Sequence, residues 1–328
     1  MLKLEKILCP VDRSPDSAEA LRYALTLARA YHAKLLLCHC VENHTPQPGR
    51  AATLDSKYVL AEFAEMLAEH LGDDDLARVD WEGIVVESNH PASAITREAA
   101  ERGVDLIVMR SRRRPRAAAL LGSTAEAVCR TAPCPVFVTH PREREWGGQT
   151  AGGHDLRRIL VAYDFSDDAE LALRYGLSLA EEHQAEVHLL HVLQKPADDG
   201  PEIALTPASA ESIYQHAARR LQQSVPAEAY LRCRVVHAVR WGKPYRETLA
   251  YAAEHEIDLI CMGAKGAGFG MSALFGSNVD RVLRQAPCPV LVTRPLKPAH
   301  APARARAVQH ALNRTQPEQR VAALSISG

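Results

Sequence analysis

The chain repeats itself. Ile7-Leu8-Cys9-Pro10-Val11-Asp12-Arg13-Ser14 resembles Ile159-Leu160-Val161-Ala162-Tyr163-Asp164-Phe165-Ser166. Val104-Asp105-Leu106-Ile107-Val108-Met109 resembles Ile257-Asp258-Leu259-Ile260-Cys261-Met262, and Ala132-Pro133-Cys134-Pro135-Val136-Phe137-Val138-Thr139 resembles Ala286-Pro287-Cys288-Pro289-Val290-Leu291-Val292-Thr293. The offset stays between 152 and 154 residues, far longer than the period of about 20–50 residues that makes a solenoid. A period of this length is a duplicated domain. The 328 residues, at roughly 150 per domain, hold two copies and little else. The boundaries read as 1–141 for the first copy and 157–295 for the second. Between them, 142–156 carries Gly147-Gly148 and Gly152-Gly153 and reads as a flexible linker. The Pro/Ala/Arg-rich tail, 296–328, has no counterpart in the first copy. Its composition reads as disordered, with a short helix candidate over 303–312.

Within each copy, short apolar runs alternate with amphipathic segments. The first runs, 6–11 and 158–163, precede helices over about 15–32 and 167–183. Ser14 and Ser166 stand as N-caps, and Pro15 suits the first helical position. Further strands are predicted over 34–41, 78–87, 105–109 and 136–139, and over 186–193, 232–239, 258–262 and 290–293. The helices between them fall over about 54–71 and 91–102, and over about 209–223 and 244–255. A short helix precedes each last strand. Apolar strands alternating with helices belong to a parallel sheet covered on both faces. The expected fold class is therefore α/β: two doubly wound, five-stranded parallel-sheet domains in tandem. Such sheets bind ligands beyond the carboxyl ends of their strands.

Composition removes several classes of function. Lys plus Arg is 39 and Asp plus Glu is 40, a net charge of -1, which argues against a dedicated nucleic-acid binder. Hydrophobic residues at 47% and charged residues at 24% match a soluble globular protein. No apolar run approaches the roughly 18–20 residues that span a bilayer, and residues 1–11 do not read as a secretory signal. Neither nucleic acid nor membrane is expected as a partner. Eight cysteines without a Cys-x2-Cys pair read as reduced, mostly buried thiols of a cytoplasmic protein.

The chemistry concentrates in the loop after the fourth strand of the second copy, Met262-Gly263-Ala264-Lys265-Gly266-Ala267-Gly268-Phe269-Gly270-Met271-Ser272-Ala273-Leu274-Phe275-Gly276-Ser277-Asn278. Glycines where a strand ends and a helix begins allow positive φ and a close approach of ligand to backbone. Gly276-Ser277 opens the last helix, whose first N–H groups and dipole favour an anion, and Ser277 adds a hydroxyl. A phosphate chain fits between the Gly263–Gly266 turn and that helix start. The loop is neither a Walker A motif nor Gly-x-Gly-x-x-Gly. Lys265, between two of these glycines, is placed either to reach a phosphate or simply to sit in solvent.

Gly263-x2-Gly266-x9-Gly276-Ser277 matches the ATP-binding motif of the universal stress protein family at every defined position. The strand ending in Asp164, the His191-Val192 pair and Pro287-Cys288-Pro289-Val290 also resemble that family. The resemblance covers roughly 1–141 and 157–295. It implies an adenine nucleotide alpha-hydrolase-like fold and ATP as ligand, with Mg²⁺ or Mn²⁺ on the phosphates left open. By the same resemblance, Asp164 faces the adenosine and Val192 contacts the adenine. Gly263, Gly266, Gly276 and Ser277 hold ribose and phosphates. The Ser-Gly-Gly phosphate loop of the adenylating enzymes on this fold is absent after the first strand.

The first copy departs from the pattern. Its loop reads Met109-Arg110-Ser111-Arg112-Arg113-Arg114-Pro115-Arg116-Ala117-Ala118-Ala119-Leu120-Leu121-Gly122-Ser123. Gly122-Ser123 and Asp12 are kept, but arginines replace both early glycines and Cys40 stands at the position of Val192. This copy is not expected to bind ATP in the family manner. The arginines read as a solvated loop, or as a site for another anion or an acidic partner.

Cys38 and Cys40 share one strand face and read as buried thiols, as do Cys134 and Cys288 in matching Pro-Cys-Pro turns. His39 and His191 read as satisfied core histidines or as groups that orient the site. No ligand spacing points to a metal, and no set of nucleophile, base and orienter is visible. The last strands, 136–139 and 290–293, would be apolar sheet edges if left alone. The resemblance implies that they pair, so that one chain forms a pseudo-two-fold pair internally; further pairing of two chains is left open. The leading expectation is an ATP-binding regulator in the stress response that acts through unidentified protein partners. The alternatives are a slow ATP hydrolase and a stress scaffold that binds no nucleotide.

Overall fold

The computed structural model describes residues 3–12, 14–41, 61, 63, 65, 67, 79–111, 122–140, 156–194, 206–266 and 276–294. The first copy runs β1 (Lys6–Pro10), α1 (Pro15–Tyr31), β2 (Lys34–Val41), β3 (Trp81–Glu87), α2 (Pro91–Arg102), β4 (Leu106–Arg110), α3 (Ser123–Thr131) and β5 (Val136–Thr139). The second copy opens with β6 (Arg158–Ala162), α4 (Asp167–His183), β7 (Glu186–Leu193) and α5 (Pro207–Gln223). A 3₁₀ turn (Ala227–Leu231) follows, then β8 (Val235–Trp241), α6 (Pro244–Glu254), β9 (Leu259–Gly263), α7 (Ser277–Gln285) and β10 (Val290–Thr293). Of the helix expected over 54–71, residues 61, 63, 65 and 67 are helical. The expected linker, except Leu156, and the tail lie outside the described residues.

The ten strands of the described residues form one sheet in the order β3-β2-β1-β4-β5-β10-β9-β6-β7-β8. Each copy is a doubly wound parallel half with the same internal order. The halves join through the antiparallel pair β5–β10, in the register Val290↔Val138, Leu291↔Phe137 and Val292↔Val136. Phe137 and Leu291 occupy equivalent positions in the repeat, so the pseudo-two-fold axis passes between them. The two edges that would otherwise stand open cover each other.

Local sequence sets the element ends. Ser166 caps α4, its hydroxyl accepting from the Ala169 N–H at 3.2 Å. Ser14 holds the same position at α1 but makes no side-chain cap; its hydroxyl turns to the carboxylate of Asp12 instead. The third strand of the second copy starts at Val235, later than the hydropathy pattern suggests, because the chain first makes its 3₁₀ turn. Successive strand residues point to opposite faces. Ile7, Leu35, Ile159 and Val187 pack under α1 and α4, whereas Leu8, Leu36, Leu160 and Leu190 pack under α2, α3, α6 and α7. Each layer draws on both copies, so the core is shared across the β5–β10 seam.

Candidate functional site

The strands β6, β7 and β9 end at one cavity of about 340 Å³ in the second copy. One wall is apolar: Ala162 and Met262 from the strand ends, Leu190 and Val192 from β7, and Val279 and Val282 from α7. The other end is polar and carries Asp164, Lys265, Gly266, Gly276 and Asn278. Tyr245 and Thr248 of α6 also line it. An apolar slot with a few convergent polar groups is the usual make-up of a small-molecule site.

Asp164 is fixed by the turn that follows β6. Its Oδ1 accepts from the Ser166 amide at 3.1 Å and the Ser166 hydroxyl at 2.6 Å. Between them Phe165 adopts φ 65°, a left-handed conformation that costs a residue with a Cβ roughly 1–2 kcal/mol. Its neighbours hold it there. The Phe165 ring packs 4.7 Å from His191 and 5.2 Å from Tyr163, with the Arg220 guanidinium 3.9 Å above it. His191 donates from Nδ1 to the Tyr163 carbonyl at 2.8 Å. Burial lowers its pKa, which favours the neutral ring. His39 makes the matching bond to the Val11 carbonyl at 2.9 Å. Both histidines are thus satisfied groups that secure the turn leading to Asp12 or Asp164.

Several hydrogen bonds tie down the glycine turn, among them one from the Ser166 hydroxyl to the Lys265 carbonyl at 3.4 Å. The Ala264 N–H donates to the Thr293 carbonyl at 2.8 Å, and the Ala264 carbonyl accepts from the Gly276 N–H at 2.9 Å. The Lys265 N–H donates to Asp168 Oδ2 at 3.0 Å. Asp168 is buried in the first turn of α4, and that burial raises its pKa. Thr293 Oγ1 donates to the Asp168 carbonyl at 2.9 Å and reaches the Met262 carbonyl at 3.3 Å.

These contacts correct the conformational reading of the glycines. The described glycines with positive φ are Gly103 and Gly242; Gly263, Gly266 and Gly276 are not among them. The need at Gly263 is space. A Cβ there would lie 2.7 Å from Asp168 Cβ, 2.8 Å from Asp168 C and 2.9 Å from Ala169 N. A Cβ at Gly266 would lie 2.7 Å from Asp164 Oδ2. Gly276 is looser, with the Ala264 carbonyl at 3.4 Å.

Six of the seven residues singled out from the sequence line this cavity: Asp164, Val192, Gly263, Lys265, Gly266 and Gly276. Ser277 does not. It starts α7 with its side chain exposed, and its neighbour Asn278 lines the cavity instead. Gly276 is the N-cap of α7 and supplies no side-chain cap. The first N–H groups of a helix have no intrahelical acceptor and attract anions. Asp168, Asn278, Tyr245 and Thr248 were missed in the sequence. Only Asp168 had a local signal there, as an acidic residue in the first turn behind the Ser166 cap.

In the first copy, Arg110 stands at the Gly263 position, its side chain largely buried with Nη1 4.0 Å from Glu19 Oε2. Asp12 Oδ1 accepts from the Ser14 N–H at 3.0 Å and the Ser17 hydroxyl at 2.7 Å. The remaining arginines, 112–116, lie outside the described residues, as does 267–275 of the second loop. All eight cysteines are free thiols, and Cys38, Cys134 and Cys288 are buried while Cys40 is partly exposed. Burial pushes Cys134 up to about 12. Among the described residues, no group of three or more His, Cys, Asp or Glu is placed to hold a metal ion. No helix among them is long and apolar enough to cross a membrane.

Comparison with known proteins agrees with the duplicated architecture. The profile of the universal stress protein family matches twice, over residues 3–140 and 155–294. A universal stress protein of Mycolicibacterium smegmatis is 26% identical over 295 residues, covering 88% of this chain and 97% of its own. A functionally unknown protein of Pseudomonas aeruginosa has the same fold at a TM-score of 0.65 and 19% identity, over 89% of this chain and 93% of its own. A universal stress protein of Archaeoglobus fulgidus matches at a TM-score of 0.57 and 23% identity, over 89% of this chain and 97% of its own. With the profile matching both copies, the chain belongs to the universal stress protein family.

Proposed function

We propose that the second copy binds ATP and that nucleotide occupancy regulates the contacts of this protein with partner proteins in the stress response. The observation that carries this reading is the cavity itself, an apolar slot that ends on a glycine turn and an α7 N-terminus with no side-chain cap. The base would lie along Val192, Met262 and Val279. Asp164 would accept from a ribose hydroxyl. The phosphates would meet the backbone of Gly266 and Gly276, the first N–H groups of α7, and the Lys265 ammonium. The phosphates themselves would hold any accompanying Mg²⁺, which commonly stays on nucleotide phosphates with its waters. In the first copy, the buried Arg110 side chain and the added Ser17 hydroxyl bond to Asp12 speak against the same mode of binding.

Titration with Mg-ATP tests the asymmetry. Affinity falls sharply on Gly276→Val and barely changes on Gly122→Val. Equal losses from both variants would remove the assignment to the second copy. Turnover above a buffer blank that disappears in Gly276→Val would instead favour the hydrolase.

A further inference from the structure

The residue after β10 does not stay within its own copy. Arg294 is largely buried, and its guanidinium donates to the Arg130 carbonyl at 2.9 Å, the Ala132 carbonyl at 3.3 Å and the Cys129 carbonyl. These are the last carbonyls of α3, in the first copy. A helix leaves them without intrahelical donors, and its dipole favours a cation there. Arg294 is therefore the C-terminal cap of a helix from the other half. His140 stands at the equivalent position of the first copy, so this guanidinium cap is not repeated.

One residue earlier, Thr293 secures the glycine turn through its carbonyl to Ala264 and its hydroxyl to Asp168. Asp168 in turn holds the Lys265 amide. The cap and the turn are consecutive residues of one strand end. We propose that Arg294 is a positioning residue for the phosphate end of the cavity. By gripping α3 it fixes the end of β10, and with it Thr293, Asp168 and the Gly263–Gly266 turn. Val192, on β7, stands outside this chain of hydrogen bonds, whereas Met262 and the start of α7 join it through Thr293 Oγ1 and the Gly276 N–H. The inference rests on the nucleotide reading for its ligand, but its structural part stands without it.

The test uses the full chain as wild type, Arg294→Met and Arg294→Lys. Hydrogen exchange is followed at the amides of 264–265, and calorimetry is run with Mg-ATP and with adenosine. In Arg294→Met the two amides exchange faster, and ATP binds about tenfold more weakly, within the range typical of coupled sites. Adenosine, which has no phosphates to lose contact with, is weakened less, staying within about twofold. Arg294→Lys, which keeps the charge but not the planar fork, falls between. A purely structural role would weaken ATP and adenosine alike, and that result overturns the proposal. Exchange and ATP affinity both at wild-type values overturn it too. If wild type binds no ATP but exchange at 264–265 still rises selectively, the nucleotide reading fails and the positioning role of Arg294 holds.

Discussion

Gly263→Ala separates a steric account of the motif from a conformational one. The added methyl would sit 2.7–2.9 Å from Asp168 Cβ, Asp168 C and Ala169 N. Two of these three atoms are backbone of the first turn of α4, so no side-chain rotation relieves the clash. Ordinary carbon contact begins near 3.5 Å, so β9 and α4 must part by about 0.7 Å at this point. Overpacking of this kind costs about 1–3 kcal/mol. With about 2–4 °C of melting temperature per kcal/mol, the melt falls by several degrees. The same shift pulls Asp168 away from the Lys265 amide, so ATP affinity falls as well. Gly276→Ala is the control. Its methyl would meet Ala264 O at 3.4 Å and Val279 Cγ2 at 3.6 Å, and the loss is below about 1 kcal/mol, the scale of a changed N-cap. The assay is thermal unfolding of both variants beside wild type. Gly263→Ala melting like wild type, or Gly276→Ala losing more, would refute the steric account.

Other perturbations reach the carboxylate of the cavity, the shared core and the buried histidines. Asp164→Asn removes the charge facing the cavity; calorimetry should show ATP affinity reduced roughly 10–100-fold, the worth of one charged hydrogen bond of about 1.5–3 kcal/mol, with the melt little changed. Phe137→Ala opens a cavity on the pseudo-two-fold axis and costs about 3–5 kcal/mol. Because the core layers are shared by both copies, calorimetric unfolding should remain one transition shifted down; a second transition left at the wild-type temperature would contradict the shared core. Burial lowers the pKa of His188 and His191, so the unfolded chain binds the extra protons. Stability is then fully present above the ordinary imidazole pKa of about 6.5 and is lost as pH falls below it. His188, whose Nδ1 meets the Tyr251 hydroxyl at 2.9 Å, carries part of that slope, and melts of His188→Gln across this range should show a shallower one.

The alternation of apolar strands with capped helices was legible because both signals are local. Ser166 and its Asp167 start α4 as the sequence suggests. The cavity was legible for the same reason, since Asp164, Val192 and the Gly263–Gly266 turn lie at or just past strand ends, Gly276 opens a helix, and such sheets collect ligands there. What was not legible depends on partners far along the chain. Gly263 is constrained by Asp168, 95 positions away, so its role as a packing glycine was hidden behind the more familiar one of a turn. The cap that Arg294 places on α3 crosses the repeat. The exposure of Ser277 follows from the pitch of α7, which turns Asn278 and Val279 toward the cavity and leaves the first residue outside. Arg110 could be seen to replace a glycine, but not that its side chain would be taken into the fold.

The proposed function puts one nucleotide site in each chain, in the second copy. Calorimetric titration of the full chain with Mg-ATP measures it directly. The predicted result is a stoichiometry near one, abolished by Gly276→Val and retained by Gly122→Val. No heat at all, a stoichiometry near two, or equal loss from either variant would contradict it.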